Sequence, residues 1–424
     1  MEFLYNLSLV DGPFYWTILG AGIAGSAFLL LLRRDRRWLL SIFVSLAVAS
    51  GVVSVIHWLL VNVLTVFPED LPFDVLAWST LAFSALALFI FRLPGASWRG
   101  RSVAGVSFVA VLLLAALQIN SYFGLNHTAA DLFGHNVGRI PQLEEGFKRG
   151  SSRTLPVSLP DGGIVRRASI PGIESGFKAQ DAFIYLPPAY QAADRSRLPV
   201  LVLFAGQPGR PADWLTGGLL EPAMNTFAAR HGGVAPVVVV VDPNGSDTAN
   251  TMCMDSRIAR ADTYLAIDVP RWINSTLEVS ADPRKWAVGG FSFGATCAVQ
   301  MTTLHPEIFP SFIAFSGERE PSLGPDRQRT IQTAFGGDSA AFDALTPLNL
   351  MKQRRYDGHA GFLAVGAADG EFVRYAAELA AAATTSGFDV RHAPVSGAGH
   401  SWAVAVQELP SAMEFLAPRW GLVQ

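Results

Sequence analysis

Four long apolar runs occupy the first quarter of the chain and constrain its fold more than any other feature. They cover about residues 14–32, 38–62, 74–91 and 102–119. Each run meets or approaches the ~20 residues that an α-helix needs to cross the hydrocarbon core of a bilayer. The pattern predicts a four-helix transmembrane domain over residues 1–120, followed by a juxtamembrane connector over residues 121–155.

The charges that flank these runs predict their orientation. Basic residues cluster between the first and second runs, at 33–37, and between the third and fourth, at Arg92, Arg99 and Arg101. The opposite ends of the runs carry only acidic residues. Because cytoplasmic loops are enriched in lysine and arginine, we expect the arginine loops in the cytoplasm and both ends of this domain outside. The remaining residues would then lie on the extracytoplasmic face of the cytoplasmic membrane.

Residues 156–424 alternate between short apolar runs and helical stretches. The predicted strands are 182–186, 199–204, 234–241, 286–288, 311–315, 361–365 and 388–392, and the predicted helices are about 217–231, 258–277, 293–304, 371–386 and 402–416. Such alternation predicts a mainly parallel sheet with helices on both faces. The fold class is therefore a four-span helical domain followed by an α/β domain.

One motif in this region is typical of nucleophilic catalysis. Residues Gly290-Phe291-Ser292-Phe293-Gly294 fit the pattern G-x-S-x-G. An apolar strand, Trp286–Val288, enters the motif and an alanine-rich helical stretch, Ala295–Leu304, leaves it. This strand–turn–helix context holds a serine hydroxyl exposed on a tight turn. Since the motif alone occurs by chance in glycine-rich chains, the context carries the prediction that Ser292 is a nucleophile.

A serine nucleophile needs a general base, which in this architecture follows it late in the chain. His400 lies in a glycine-rich loop between the last predicted strand and the last predicted helix. The other candidates are less suitable: His305 ends the helix after the motif, His359 precedes a strand, and His392 lies inside one. We therefore expect His400 to be the base.

An acid that orients the base is expected after the preceding strand. Asp369 lies in the first turn after residues 361–365 and is the preferred candidate. Glu371 is the alternative, although its position is more typical of a charge at a helix start.

An oxyanion hole needs two backbone N–H groups. The residue after the nucleophile, Phe293, supplies one. The loop after strand 199–204 supplies the other, and there we expect Gln207, with Gly206 as the next choice.

These residues give the chain, from about 165 to 420, a resemblance to the esterase-D-like branch of the α/β-hydrolases, which includes the secreted mycolyltransferases of mycobacteria. The motifs that carry it are Tyr185-Leu186-Pro187-Pro188, Gly206 with Ala212-Asp213-Trp214, Asp242-Pro243-Asn244-Gly245 and Gly399-His400-Ser401-Trp402. The resemblance implies an α/β-hydrolase fold with Ser292 as nucleophile and His400 as base. The acid, Asp369, matches the esterase pattern, whereas the similar mycolyltransferases have Glu at the corresponding position. Joined to four spans, the domain looks like that of actinobacterial membrane esterases.

Two cysteines and a set of possible substrate-binding residues complete the candidates. Cys253 follows the valine-rich strand and Cys297 lies on the helix behind Ser292, so neighbouring strands could bring them together. Disulfides persist outside the cytoplasm, and we expect one here, with two buried free thiols as the alternative. The possible substrate-binding residues are Gly206, Trp214, Asp255, Ser256 and Trp402. Core packing is an equally open role for the two tryptophans. For Asp255 and Ser256, a capping or surface role is equally open.

The sequence thus predicts a membrane-anchored serine esterase that hydrolyses an ester of an amphiphilic lipid or glycolipid through an acyl-enzyme. An acyltransferase that moves the acyl group to a sugar or glycolipid hydroxyl is the alternative, and a non-catalytic binding domain is a lesser one. No cofactor or metal is expected, because the histidines and acids show no ligand spacing. A net charge of −3 with no basic block disfavours nucleic-acid binding. The expected partners are the bilayer and the lipid substrate, and the sequence carries no signal for an oligomeric state.

Overall fold

The computed structural model describes residues 5–31, 36–151, 159–191 and 198–422. The chain divides into two compact units, an N-terminal unit, Met1–Asn136, and a C-terminal unit, Val137–Gln424. The first consists of apolar helices, and the second is built on a mainly parallel sheet. The predicted fold class is therefore confirmed.

Four helices of the N-terminal unit are long and apolar enough to span a bilayer. They are α1 (Gly12–Leu31), α2 (Arg36–Trp58), α3 (Phe73–Arg92) and α4 (Trp98–Phe123). A π-helical turn, Leu59–Val63, extends α2. Two short helices follow, α5 (Ala129–Leu132) and α6 (His135–Gly138).

Small residues allow α1 to pack closely on α4. A Cβ atom at Gly22 would lie 2.5 Å from Leu114 Cβ, and one at Gly25 would lie 2.8 Å from the Ser107 carbonyl oxygen. Close packing of this kind is a main source of helix association in a membrane, where burial of apolar surface gives no advantage. Gly20 plays no such part, because a Cβ there would meet nothing within 4 Å.

The C-terminal unit contains an eight-stranded sheet in the order β1-β2-β4-β3-β5-β6-β7-β8. The strands are β1 (Ile164–Ala168), β2 (Ala182–Leu186), β3 (Val200–Phe204), β4 (Val237–Val241), β5 (Trp286–Phe291), β6 (Ser311–Phe315), β7 (Ala360–Gly366) and β8 (Asp389–Val395). Strand β2 runs antiparallel to both β1 and β4, and the other neighbours are parallel. Residues in β2 to β7 are buried throughout, which accounts for their continuous apolar sequences.

Helices of the C-terminal unit connect these strands. They are α7 (Asp213–Thr216), α8 (Leu220–Arg230), α9 (Ala261–Thr263), α10 (Val269–Thr276), α11 (Phe293–Leu304), α12 (Arg327–Phe335), α13 (Ser339–Asp343), α14 (Pro347–Gln353), α15 (Gly370–Ser386) and α16 (Ala403–Leu416). Helix α11 packs on β3, β5 and β6 and is buried along nearly its whole length. Because β3 and β5 to β8 are parallel, the loops that follow them meet at one edge of the sheet.

Candidate active site

Ser292 occupies a sharp turn between β5 and α11. Its backbone angles, φ 55° and ψ −123°, lie in a region that residues other than glycine seldom adopt. The Ser292 N–H donates to the carbonyl oxygen of Phe315 at the end of β6, over 2.8 Å. The turn is thus fixed to the neighbouring strand, and it holds the serine at the carboxyl edge of the sheet.

The two glycines of the motif are required by close backbone contacts. A Cβ atom at Gly290 would lie 2.1 Å from the carbonyl carbon of Gly294. A Cβ atom at Gly294 would lie 2.2 Å from the carbonyl oxygen of Phe204 at the end of β3. Any side chain at either position would therefore collide with main-chain atoms that cannot move aside.

The structure brings Ser292, His400 and Asp369 into one chain of hydrogen bonds. Ser292 Oγ lies 2.8 Å from His400 Nε2. On the other side of the ring, His400 Nδ1 lies 3.0 Å from Asp369 Oδ2 and 3.1 Å from Oδ1. Ser292 is 7% exposed and Asp369 is 5% exposed. A nearly buried carboxylate thus holds the imidazole so that its second nitrogen faces the serine hydroxyl.

Backbone contacts fix the acid loop against the histidine loop. The Ala368 N–H donates to the Ala398 carbonyl oxygen over 2.9 Å, and the Ala367 N–H donates to that of Val395 over 2.8 Å. At the end of β7, a Cβ atom on Gly366 would lie 2.4 Å from the Gly399 carbonyl oxygen. The separation between Asp369 and His400 is therefore set by the main chain.

Two aromatic rings that the sequence analysis did not select pack on the imidazole. The ring centroid of Phe372 lies 4.3 Å from that of His400, and the centroid of Phe291 lies 5.3 Å from it. Phe291 directly precedes Ser292 in the sequence, and Phe372 lies three residues after Asp369. This proximity is the signal that could have identified the two rings. Together they restrict the rotation of the imidazole ring.

Glu371, the alternative acid, lies outside this arrangement. Its exposed carboxylate accepts from the Tyr375 hydroxyl at 2.7 Å and from Arg374 at 2.9 Å. These two partners lower the pKa of Glu371 below its usual value. It stabilises the start of α15 and does not contact the imidazole.

The loop after β3 lies beside the serine. A Cβ atom at Gly206 would be 3.5 Å from Ser292 Cβ, which is ordinary van der Waals contact. Gln207 is buried, and its side-chain Nε2 donates to the Thr248 carbonyl oxygen over 3.2 Å. Phe293 begins α11, so its N–H has no partner within the helix. The two segments predicted to supply the oxyanion hole thus flank the nucleophile turn.

This arrangement is suited to acyl chemistry on an ester carbonyl. It combines a hydroxyl, a base within hydrogen-bond reach and an acid that orients the base. Within the described ranges, no group of three or more His, Cys, Asp or Glu side chains could hold a metal ion.

Comparison with known proteins assigns the chain to a family. A family model named Esterase matches residues 178–415, which is more than half of the chain. The chain belongs to the Esterase family. It is also similar to an uncharacterized protein of Corynebacterium glutamicum, with 32% identity over 433 residues that cover 98% of both chains. The predicted resemblance to esterases is confirmed, and the chain is a hydrolase.

Solved structures show the same fold. A ferulic acid esterase aligns with a TM-score of 0.52 and 17% identity, over 61% of this chain and 99% of the other. An S-formylglutathione hydrolase from Agrobacterium tumefaciens aligns with a TM-score of 0.51 and 17% identity, over 63% and 100%. The α/β-hydrolase fold therefore accounts for the C-terminal unit of the esterase.

The two tryptophans near the site of the esterase pack in its core. Trp214 is fully buried, and its Nε1 donates to the Phe204 carbonyl oxygen over 2.9 Å. Trp402 is 5% exposed and contacts Trp214 edge to face, with ring centroids 5.2 Å apart. Trp402 also packs on Phe291, with centroids 4.7 Å apart. Both rings are therefore packed in the core, and their role in substrate binding stays a prediction.

Asp255 and Ser256 organise their own loop. The Asp255 carboxylate accepts from the N–H of Thr263, at 2.9 Å, and from its hydroxyl. Ser256 Oγ accepts from the Ile258 N–H over 3.1 Å. Both side chains therefore stabilise this loop, and their part in substrate binding stays a prediction.

A second histidine–carboxylate pair lies beside this loop. His305 Nε2 is 2.8 Å from Asp262 Oδ1. Burial alone would lower the pKa of His305, but the Asp262 carboxylate outweighs it and raises the pKa above its usual value. His305 follows the last residue of α11, at the opposite end of that helix from Ser292. It therefore cannot serve as the base for this serine.

A disulfide joins Cys253 to Cys297. It connects the loop after β4 to α11, which carries the nucleophile turn at its start. Gln300, one turn further along α11, donates its side-chain Nε2 to the Cys253 carbonyl oxygen over 3.2 Å. The loop is thus attached to the helix by one covalent bond and one buried hydrogen bond.

Removal of this disulfide is expected to destabilise the esterase. The bond closes a loop with a sequence separation of 44, for which chain-entropy arguments give about 2–4 kcal/mol of stabilisation. We expect a reductant to lower the melting temperature of the wild type but not that of a Cys253→Ser, Cys297→Ser double variant. Thermal melts in detergent with and without reductant measure this. Equal melting temperatures for all samples would contradict the expectation, as would alkylation of both thiols in the unreduced protein.

Asp213 supports the loop that carries Gly206 and Gln207. Its Oδ2 accepts from the Arg210 N–H over 2.9 Å. The same oxygen lies 2.8 Å from the position that a Cβ on Gly209 would occupy. Burial raises the pKa of Asp213 from 3.8 to about 6, against the opposing effect of the Arg210 contacts. The sequence contains Asp213 within the family motif, but only the folded structure shows that the carboxylate is buried.

The raised pKa of Asp213 predicts a pH-dependent stability. The folded state keeps the proton up to about pH 6, whereas the unfolded chain loses it near 3.8. The contribution of protonated Asp213 to the stability of the fold is therefore complete below about pH 4 and is lost as the pH rises through 6. The asparagine of Asp213→Asn does not titrate. The melting temperature of this variant should therefore rise relative to that of the wild type as the pH increases from about 4 to 6. Over this pH range the free energy of unfolding of the variant should increase relative to that of the wild type by up to about 3 kcal/mol. Melts of both proteins from pH 4 to 7 measure it, and a pH-independent difference would contradict it.

Proposed function

We propose that this chain is a membrane-anchored serine esterase that hydrolyses an ester of an amphiphilic lipid or glycolipid on the extracytoplasmic face. The observation that carries the catalytic part is the hydrogen-bond chain Ser292–His400–Asp369. Ser292, His400 and Asp369 are its catalytic residues. Membership of the Esterase family supports the reaction class.

In the first half of the reaction, Ser292 Oγ attacks the ester carbonyl carbon. His400 Nε2 lies 2.8 Å from that oxygen and takes its proton. Asp369 keeps the imidazole in the tautomer whose Nε2 accepts, and it stabilises the imidazolium that forms. The N–H groups of Gln207 and Phe293 donate to the oxyanion of the tetrahedral intermediate. The intermediate collapses as His400 returns the proton to the leaving alcohol, which leaves an acyl group on Ser292.

In the second half, water attacks the acyl-enzyme. His400 removes a proton from the water, and the same amides hold the second oxyanion. Collapse of this intermediate releases the carboxylic acid and restores the Ser292 hydroxyl. If a sugar hydroxyl replaced the water, the same residues would transfer the acyl group, so hydrolysis and transfer differ only in the acceptor.

The arrangement of the whole chain supports an amphiphilic substrate. Four helices long and apolar enough to span a bilayer precede the hydrolase fold. The Corynebacterium glutamicum relative aligns over 98% of this chain, so it combines the same two parts. By their names, the structural neighbours act on ferulic acid esters and on S-formylglutathione, and neither alignment extends over the whole chain. The helices therefore point to a substrate that resides in the membrane.

Product analysis tests the reaction and the substrate class. The detergent-solubilised protein and its Ser292→Ala variant are each incubated with extracted membrane lipids, with and without trehalose as a sugar acceptor. We expect the wild type alone to release free acid from a lipid ester. Acyl-trehalose as the main product would instead show a transferase. Cleavage of short soluble esters without any change in the lipids would contradict the substrate class but not the esterase activity.

A membrane-impermeant fluorophosphonate tests the orientation. Applied to intact cells that express the protein, it should label Ser292 as fully as it does after lysis. Labelling only after lysis would place the C-terminal unit in the cytoplasm and would contradict the proposed topology.

A further inference from the structure

The N-terminal unit contains a cleft of about 590 Å³ that the proposed reaction does not use. Its walls are α1 and α2, and its floor is α3. The lining is almost entirely apolar, with a few hydroxyl side chains. Ligand sites in proteins typically have volumes of about 300–1,000 Å³, so the cleft is large enough for a molecule.

The cleft exists because α1 and α2, although consecutive in sequence, pack on different partners. Helix α1 packs on α4, and α2 packs on α3. The two approach each other at the arginine end, where Trp38 Nε1 donates to the Leu30 carbonyl oxygen over 3.2 Å. The residues of α1 that line the cleft, Ser26, Leu29 and Leu30, all lie near that end. The cleft is therefore closed at the arginine end and open on the α1 side at the other.

The cleft is long and narrow. On α3 its lining runs from Phe73 to Leu88, which at 1.5 Å per residue is about 22 Å. On α2 it runs from Ile42 to Ser54, which is about 18 Å. A single extended hydrocarbon chain, which is much narrower than a helix of about 10 Å diameter, matches these dimensions.

A hydroxyl group on the floor lacks a partner. Ser84 is 8% exposed, and its Oγ makes no hydrogen bond. It lies 11 residues into α3, about 16 Å from Phe73. This oxygen is itself buried, so it exposes almost no polar surface to the cleft.

We propose that this cleft binds one acyl chain of a bilayer lipid, drawn from the leaflet opposite the arginine loops, with its terminal carbons beneath Trp38. The inference rests on the membrane location given under the proposed function and is independent of the chemistry at Ser292. In the hydrocarbon core of a bilayer, lipid chains are the molecules of this length and polarity. The open end admits the chain between Phe73 and Ser54, and the contact between Trp38 and Leu30 stops it at the other end.

The depth of the cleft distinguishes a bound chain from the lipids that surround any membrane protein. The hydrocarbon core is about 30 Å thick, so one leaflet supplies about 15 Å. Leu88 lies about 22 Å from the open end, which is beyond the reach of an ordinary lipid of that leaflet. Lipids of the opposite leaflet lie at the depth of Leu88 without entering the cleft, so variants at the open end are needed to identify a chain that enters there.

Photocrosslinking tests the proposal on the full-length protein in phosphatidylcholine vesicles. The probe is a phosphatidylcholine with a diazirine at the end of one acyl chain, and mass spectrometry locates the labelled residues. We expect labelling at Leu30, Ile42 and Leu88. Ala77→Phe, in the open half of the cleft, should lower this labelling about tenfold through loss of the apolar contacts of the chain. Ala47→Phe, at an exposed alanine of α2 outside the cleft, should leave it unchanged.

Two controls make the outcome decisive. Ser54→Phe narrows the cleft from the opposite wall and should reproduce the loss if Ala77→Phe fails to fold. Ser292→Ala should keep full labelling, so failure of the proposed reaction does not affect this test. Equal labelling of the cleft residues and of the Ala47 face, or labelling of Leu88 that both cleft variants leave intact, would overturn the proposal.

Discussion

Replacement of Ser292 by alanine is expected to lower kcat/KM for a soluble ester by about 10⁴- to 10⁶-fold. The hydroxyl 2.8 Å from His400 Nε2 is the atom that would form the acyl-enzyme. Without it, only the uncatalysed attack of water within the site remains. Initial rates of p-nitrophenyl ester hydrolysis by the wild type and the variant measure the loss.

Ser316→Ala is the matched control for this variant. Ser316 also has a positive φ, 51°, and also follows the end of a strand of the same sheet. It is fully buried, and its Oγ makes no hydrogen bond. We expect near-normal activity from Ser316→Ala. Comparable losses in the two variants would show that a serine-to-alanine change disturbs the sheet edge, and activity that survives Ser292→Ala would exclude Ser292 as the nucleophile.

Replacement of Asp369 by asparagine should have the second-largest effect, a fall in kcat on the order of 10³- to 10⁴-fold. The amide occupies the same volume but can donate to His400 Nδ1, which favours the tautomer whose Nε2 carries a proton. That nitrogen can then no longer accept the proton of Ser292. The pH dependence of kcat and KM for the soluble ester measures the effect, and KM should change little.

Glu371→Gln is the control for the acid. Glu371 lies two residues further along, and its carboxylate binds Arg374 and Tyr375. Its removal should leave kcat within about twofold of the wild type, since an exposed ion pair of this kind contributes little. A large loss in Glu371→Gln with normal activity in Asp369→Asn would reverse the assignment of the acid.

Much of the fold could be predicted because the buried elements have simple patterns. The apolar run Ala182–Leu186, the strand Ser311–Phe315 and helix Phe293–Leu304 have the bounds that the sequence predicted. These elements are buried along their length, so their sequences are continuous in apolar or small residues. Burial on both faces leaves few alternatives for such segments.

The sequence analysis missed elements at the surface. Strand β1, Ile164–Ala168, contains two arginines and lies at the sheet edge, where β2 is its neighbouring strand and Gln142 forms an isolated bridge with Arg167 on its other side. The polar helices α12 and α13 are capped by the residues that precede them, Asp326 and Asp338, whose side chains accept from backbone N–H groups of the first turn. Such elements depend on capping and tertiary pairing, which hydrophobic patterns do not report.

The candidate site likewise combines residues that the sequence predicts with residues whose roles only the folded structure shows. Chain order and loop position were enough to select Ser292, Asp369 and His400, because the hydrolase fold brings the ends of parallel strands to one edge. Asp213 and Trp214 are different, since their roles follow from burial beneath the loop that carries Gln207. A residue's burial depends on neighbours distant in sequence, so it could not be derived from the motif.

Labelling with a fluorophosphonate tests the central claim most directly, because the reagent reacts with a serine only when a base activates it. Purified wild-type protein, Ser292→Ala and His400→Ala are treated in parallel, and mass spectrometry locates the adduct. The account predicts a single adduct on Ser292 in the wild type and none in either variant. A folded wild type without an adduct, or an adduct on a different serine, would contradict it.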